Sequence, residues 1–197
     1  LNGGYDPADE EYFDQCSEDL INTYVVPGGF TAARVYQNPS ALELETYRGD
    51  EQDVIDEINA GKVLINYIGH ASGTSWNLLH QGSISSLHNA GMLPFATSYS
   101  CGTGDFVGID GFGELLLESP EKGTIGFWGA TGVGWKYGNS YLNEEFFKSV
   151  FLEGRRCIGQ IVTEARINFF LQHPLYEDLM QTYTLTGDPT TLLALPE

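Results

Sequence analysis

Two side chains in this 197-residue sequence have the types and surroundings that nucleophilic catalysis needs. His70 stands in Gly69-His70-Ala71-Ser72-Gly73. Cys101 follows 31 residues later, in Cys101-Gly102-Thr103-Gly104-Asp105-Phe106. A thiol at its ordinary pKa is only partly ionised near neutral pH. An imidazole beside it takes the proton or stabilises the thiolate, then returns a proton to a leaving amine. The small residues around Cys101 let a substrate backbone approach and leave backbone N–H groups to hold a developing oxyanion. At this point a buried structural cysteine and an ordinary loop histidine remain the competing account. Other chemistries fit less well. Gly102, Gly104 and Gly108 lack the Lys-Ser/Thr of a phosphate loop and have the wrong spacing for a dinucleotide fingerprint. His70, His80 and His88 form no convincing metal set, and there is no GxSxG elbow for a serine hydrolase.

The elements that must position these residues are short apolar runs alternating with helix-like segments. Residues 30–36, 62–68, 94–100 and 123–129 read as strands, short apolar runs suited to central strands buried on both faces. Residues 10–24, 50–59, 111–117, 141–152 and 158–171 read as helices. The second carries Val54, Ile55 and Ile58 on one face and stops at Ala60-Gly61. This alternation predicts an α/β three-layer sandwich with a largely parallel sheet, in one domain spanning residues 1–197. In such sheets ligands bind at the carboxyl ends of the strands. His70 and Cys101 each follow a predicted strand. If the two strands are neighbours, joined by a crossover helix around residues 83–89, both side chains enter one crevice.

Composition narrows the function classes. The chain has 27 Asp+Glu against 9 Lys+Arg, a net charge of -18, which opposes binding to nucleic-acid phosphates or to an anionic membrane surface. Residues 1–60 alone hold 14 acids and 2 bases. No apolar run reaches the roughly 18 residues of a membrane span, so no membrane insertion is expected. No basic stretch followed by an apolar one opens the chain, so no signal peptide is expected within these residues. It begins at Leu1 rather than Met, as an excised piece would. Cys16, Cys101 and Cys157 cannot all pair; a Cys16–Cys157 disulfide is one candidate outside the cell.

Four ordered stretches carry a family resemblance. They are Asn66-Tyr67-Ile68-Gly69-His70-Ala71-Ser72 with Ser75-Trp76, and Ser100-Cys101-Gly102-Thr103-Gly104-Asp105-Phe106. The third is Gly123-Thr124-Ile125 with Gly129-Ala130-Thr131, Trp135 and Asn143-Glu144; the fourth is Thr186-Gly187-Asp188-Pro189-Thr190-Thr191-Leu192-Leu193. Together they resemble the gingipain family of secreted bacterial cysteine peptidases, relatives of caspases and legumains. The resemblance implies a caspase-like catalytic subdomain and a cysteine endopeptidase. Cys101 would be the nucleophile, His70 the general acid/base, and the Ala71 and Cys101 N–H groups the oxyanion hole. It places Trp135 in the pocket for the side chain before the scissile bond. The Gly187-Asp188-Pro189 turn closes the domain.

Three departures accompany the resemblance. Ala71 replaces the usual Gly after the histidine, which would cost about 1 kcal/mol if that position needed a positive φ. Asn2 stands where the family often has an acidic third catalytic member. Phe13, with Asp14 adjacent, stands where Arg- and Lys-cleaving members hold the substrate cation, so an apolar or small substrate residue is as well supported. The resemblance further implies no required cofactor, with structural Ca²⁺ on Asp6, Asp9, Glu10 and Glu11. It implies a protein or peptide substrate, an extracellular or cell-surface location, and an upstream α/β subdomain and downstream immunoglobulin-like domain in the same precursor. A processing peptidase of a secretion system is one variant. A catalytically silent pseudo-peptidase serving as an interaction module is the alternative.

Overall fold

The computed structural model describes residues 6–107 and 110–195. Helix α1 (Pro7–Leu20) begins where Pro7 can occupy the first helical position. Asp6 caps it, accepting from the Ala8 N–H at 3.0 Å. A wider turn continues it through Ile21–Val25. Helix α2 (Glu51–Asn59) starts with a reciprocal cap: Asp50 accepts from the Gln52 N–H at 2.8 Å, and Asp53 accepts from the Asp50 N–H at 2.8 Å.

Strand β1 (Leu64–Ile68) then leads into a small antiparallel ribbon, β2 (Ala71–Ser72) and β3 (Ser75–Trp76). The crossover expected as a helix around residues 83–89 is a short 3-10 segment, Gln81–Ser86, ahead of β4 (Phe95–Tyr99). Helix α3 (Phe112–Glu118), strand β5 (Gly126–Ala130), helix α4 (Lys136–Phe147) and helix α5 (Ile158–Gln172) follow. A one-turn helix α6 (Leu179–Thr182) and strand β6 (Tyr183–Gly187) complete the chain.

The main sheet has the order β1-β4-β5-β6, parallel except for the antiparallel β5–β6 edge. Every residue of β4 and β5 is buried, as central strands covered on both faces require. Alternation along the strands separates two cores. Phe95, Tyr99, Trp128 and Ala130 meet Leu20, Leu142, Phe146, Ile161 and Phe169 from α1, α4 and α5. Ala96 and Phe127 meet Ile55, Ile58, Phe112 and Leu116 from α2 and α3. Helices, sheet and helices thus form the expected three layers.

Two expectations need correction. Residues 30–36 do not form a strand; their one bridge joins Tyr36 to Arg48. Arg34 and Tyr36 instead reach Glu18 on α1, each at 2.7 Å, and these ties hold the segment against the helix rather than against β1. The Cys16–Cys157 pairing is not made, since all three cysteines are free. Cys16 packs on the α1–α4 side of the core, whereas the Cys157 thiol reaches the Pro189 carbonyl oxygen at 3.2 Å. Among the described residues no helix is long and apolar enough to cross a membrane.

Candidate active site

Register brings the two proposed catalytic residues to one sheet end. Ile68 pairs with Tyr99 in the parallel β1–β4 ladder. His70 and Cys101 each lie two residues beyond that pair. Neighbouring strands run about 4.8 Å apart, so their loops leave the sheet side by side at its carboxyl end. The Gly69 N–H still bonds to the Tyr99 carbonyl at 3.4 Å, extending the ladder toward both loops.

The Cys101 loop is held from below and beside. Gly102 follows the cysteine with φ +70°, a left-handed turn that glycine adopts without a Cβ penalty. Its N–H bonds to Gly132, and the Gly104 N–H bonds to Ala130 at 2.9 Å. A Cβ on Gly104 would come within 2.5 Å of the Gly129 carbonyl oxygen, so the loop lies directly on the end of β5. Beneath it runs a buried hydroxyl chain. Ser98 accepts from the Trp76 indole N–H and from Thr103, both at 2.8 Å, and lies 2.7 Å from Ser100. The Cys101 Sγ accepts from the Gly134 N–H at 3.3 Å.

His70 is held on several sides. Its carbonyl accepts a hydrogen bond from the Tyr67 hydroxyl, and Tyr67 stacks on Trp76 with centroids 4.8 Å apart. Phe13 meets the imidazole edge-on at 5.5 Å. The ring Nε2 lies 3.0 Å from Asp9 Oδ2. Asp9 Oδ1 in turn accepts from Lys136 at 2.6 Å. The Lys136 ammonium holds the Asp9 carboxyl below its usual range, and His70 adds a smaller pull in the same direction. Among the described residues, the hydrogen bonds of His70 and Cys101 run to these partners and not to one another.

The other predicted site residues divide. Ala71 sits opposite Trp76 in the β2–β3 ribbon, and Glu121 is the one non-glycine residue with positive φ among those described. The substitution of Ala for Gly after the histidine therefore carries no backbone strain. Trp135 is 51% exposed and so is not part of the core. It lies next to Gly134, and its indole N–H donates to Asp178 at 2.5 Å. Phe13 is buried, as is Asp14, whose Oδ2 accepts from the Ser40 N–H at 2.8 Å. A cleft of about 490 Å³ between α1, residues 30–37 and β1 is lined by Glu10, Phe13, Asp14 and His70; Cys101 is not in its lining. Asn2 lies outside the described residues.

The four acids named for Ca²⁺ do not gather. Asp6 caps α1, Asp9 is paired with Lys136 and His70, and Glu11 is exposed. Among the described residues, no group of three or more His, Cys, Asp or Glu side chains is arranged to hold a metal. Of the four, Asp6 and Asp9 are thus committed to a helix cap and to an ion pair. Sequence reasoning missed Lys136 and the Ser98–Ser100–Thr103 hydroxyl chain. The latter had a signal in the run of Ser and Thr that brackets Cys101.

Burial pushes the Asp14 carboxyl above its ordinary range, and burial also raises Glu10, with the Asp14 charge adding to it. A raised carboxyl pKa means that the folded state binds the Asp14 proton more tightly than the unfolded chain does. Stability therefore falls as pH rises from the ordinary carboxyl range through the raised value. Asp14→Asn keeps an acceptor for Ser40 and removes the charge. It is expected to melt a few degrees above the parent at neutral pH, with the gap closing on acidification through the carboxyl range. A variant that melts below the parent at neutral pH contradicts this.

Cys and His in adjacent loops at the carboxyl edge of a mostly parallel α/β sandwich form an arrangement suited to cysteine-peptidase chemistry. The family model for peptidase family C25 matches residues 2–194, and the chain belongs to that gingipain-like cysteine peptidase family. Gingipain R2 from Porphyromonas gingivalis is 27% identical over 199 aligned positions, covering 94% of this chain. A gingipain R1 from the same species gives 27% over the same coverage. The chain spans 26% and 19% of these relatives' lengths, respectively. The crystal structure of the Arg specific cysteine proteinase gingipain R superposes with a TM-score of 0.69 and 24% identity, over 73% of this chain and 36% of that one. A structure described as that of a protease gives 0.78 and 17%, over 100% and 48%. These likenesses show the same fold as gingipain R.

Proposed function

We propose that this domain is a cysteine endopeptidase in which Cys101 is the nucleophile and His70 the general acid/base. The single observation that supports the reading is the Ile68–Tyr99 register, from which the loops carrying the two residues leave at the carboxyl ends of paired parallel strands. Cys101 Sγ attacks the scissile carbonyl carbon while its proton passes to His70. The Ala71 and Cys101 N–H groups hold the resulting oxyanion. The C–N bond then breaks, the amine leaves with the proton from His70, and a thioester remains on Cys101. Water attacks that thioester, giving up a proton to His70, and the S–C bond breaks to release the acid and restore the thiol.

The substrate is a protein or peptide. Phe13 beside His70 and exposed Trp135 beside the Cys101 loop support an apolar or small residue before the scissile bond. Asp14 is buried and bonded to Ser40 rather than open to a cationic side chain. The extracellular or cell-surface setting, the processing role and the flanking subdomains belong to the same reading and are supported by membership of the family. The test is a peptide-library cleavage profile. The parent is expected to cut after apolar or small residues, and Cys101→Ala to cut nothing. Preferred cutting after Arg or Lys overturns the specificity reading. A parent that cuts nothing favours the silent interaction module.

A further inference from the structure

We propose that Asp9 is the positioning residue of the His70 imidazole and that Lys136 locks Asp9 in place. This rests on the reading of His70 as the acid/base partner of Cys101. The resemblance put Asn2 at the place of such a third member; the geometry points to a different residue, on the first turn of α1.

Both carboxylate oxygens of Asp9 are committed. Oδ2 lies 3.0 Å from His70 Nε2, and Oδ1 lies 2.6 Å from Lys136 Nζ. Lys136 opens α4 one residue after Trp135, and its ammonium lies 5.3 Å from the ring centroids of both Tyr12 and Tyr137. One carboxylate therefore ties together α1, the loop after β1 and the start of α4, the three segments that border the site. Phe13, on the same helix as Asp9, fixes the imidazole from another side.

An ionised carboxylate only accepts hydrogen bonds. Facing Asp9, Nε2 must carry the ring proton, which leaves Nδ1 as the bare nitrogen that takes the Cys101 proton. When the imidazolium forms, Asp9 stabilises it without moving. Lys136 prevents the carboxylate from rotating away and from attracting the ring out of line. Asp9 touches no substrate atom in this scheme and acts through His70.

The test reads His70 directly. In a Cys101→Ala background, imidazole ¹⁵N shifts recorded at about pH 8, above the ordinary imidazole range, are expected to show the proton on Nε2. Asp9→Ala is expected to shift the population toward the Nδ1–H form. In the active protein, Asp9→Asn and Asp9→Ala are expected to lower kcat about tenfold or more with little change in KM. Asp9→Glu is expected to recover part of the loss, and Lys136→Met to give a smaller one. Melting curves identify any variant that fails to fold, in which case Asp9→Asn replaces Asp9→Ala in the NMR measurement. An unchanged tautomer population and an unchanged kcat in the Asp9 variants overturn the proposal. If the parent itself cleaves no peptide, the peptidase reading fails, and the tautomer measurement still decides whether Asp9 orients His70.

Discussion

His70→Ala is expected to lower kcat by about a thousandfold or more while KM stays near the parent value. The imidazole is assigned to a proton transfer that occurs only as the thiol attacks and the amine leaves. Its removal therefore takes stabilisation from the transition state and little from substrate binding. The fold tolerates the change because the side chain is partly exposed and its neighbours are anchored independently. Tyr67 stacks on Trp76, Phe13 belongs to the buried core, and Asp9 keeps Lys136. Steady-state kinetics beside a melting curve check this. A variant that cuts peptides at the parent rate removes His70 from the mechanism.

Trp128→Ala is expected to destabilise the domain by about 3–5 kcal/mol, a large share of the roughly 5–15 kcal/mol that stabilises a domain. Trp128 is fully buried on β5 and packs against Tyr99, Phe146 and Tyr183, with ring centroids 5.9, 5.6 and 5.4 Å away. Those partners come from β4, α4 and β6. The cavity would therefore open between the strand that leads into Cys101 and the helix that opens with Lys136. Activity is expected to be lost with the fold, at temperatures where the parent is still active. Chemical denaturation checks the magnitude; a loss below about 1 kcal/mol would show that the site collapses around the smaller side chain.

The parts of this fold that were legible from sequence are those fixed by local pattern. The apolar runs that became β1, β4 and β5 are short and bounded by turn residues; β4 and β5 are buried throughout, whereas β1, at the sheet edge, is mostly half-buried. The glycine-rich loops after two of them marked His70 and Cys101, and the parallel register brings both loops to the same end of the sheet. What was not legible depends on distant partners. Residues 30–36 have the composition of a strand, yet Glu18 on α1 captures Arg34 and Tyr36. Strand β6 was hidden behind its closing turn, because its pairing with β5 joins segments more than fifty residues apart. The Asp9–His70 contact spans 61 positions, and Asp9 looked like one more acid in an acidic helix.

Three of the acids along α1 have individual roles. Asp6 satisfies a helix terminus, Asp9 faces an imidazole and an ammonium, and Asp14 accepts a backbone N–H in a buried position. Charge density along the chain indicated where chemistry gathers, but not which atoms take part.

The most direct test of the central claim is the intact mass of the protein, with peptide mapping, after exposure to a peptidyl acyloxymethyl ketone that carries a residue the parent cleaves after. Cysteine catalysis at Cys101 predicts one adduct per chain, located on Cys101, absent in Cys101→Ala and formed far more slowly in His70→Ala. An adduct on Cys16 or Cys157, or peptide cleavage that survives in Cys101→Ala, contradicts it.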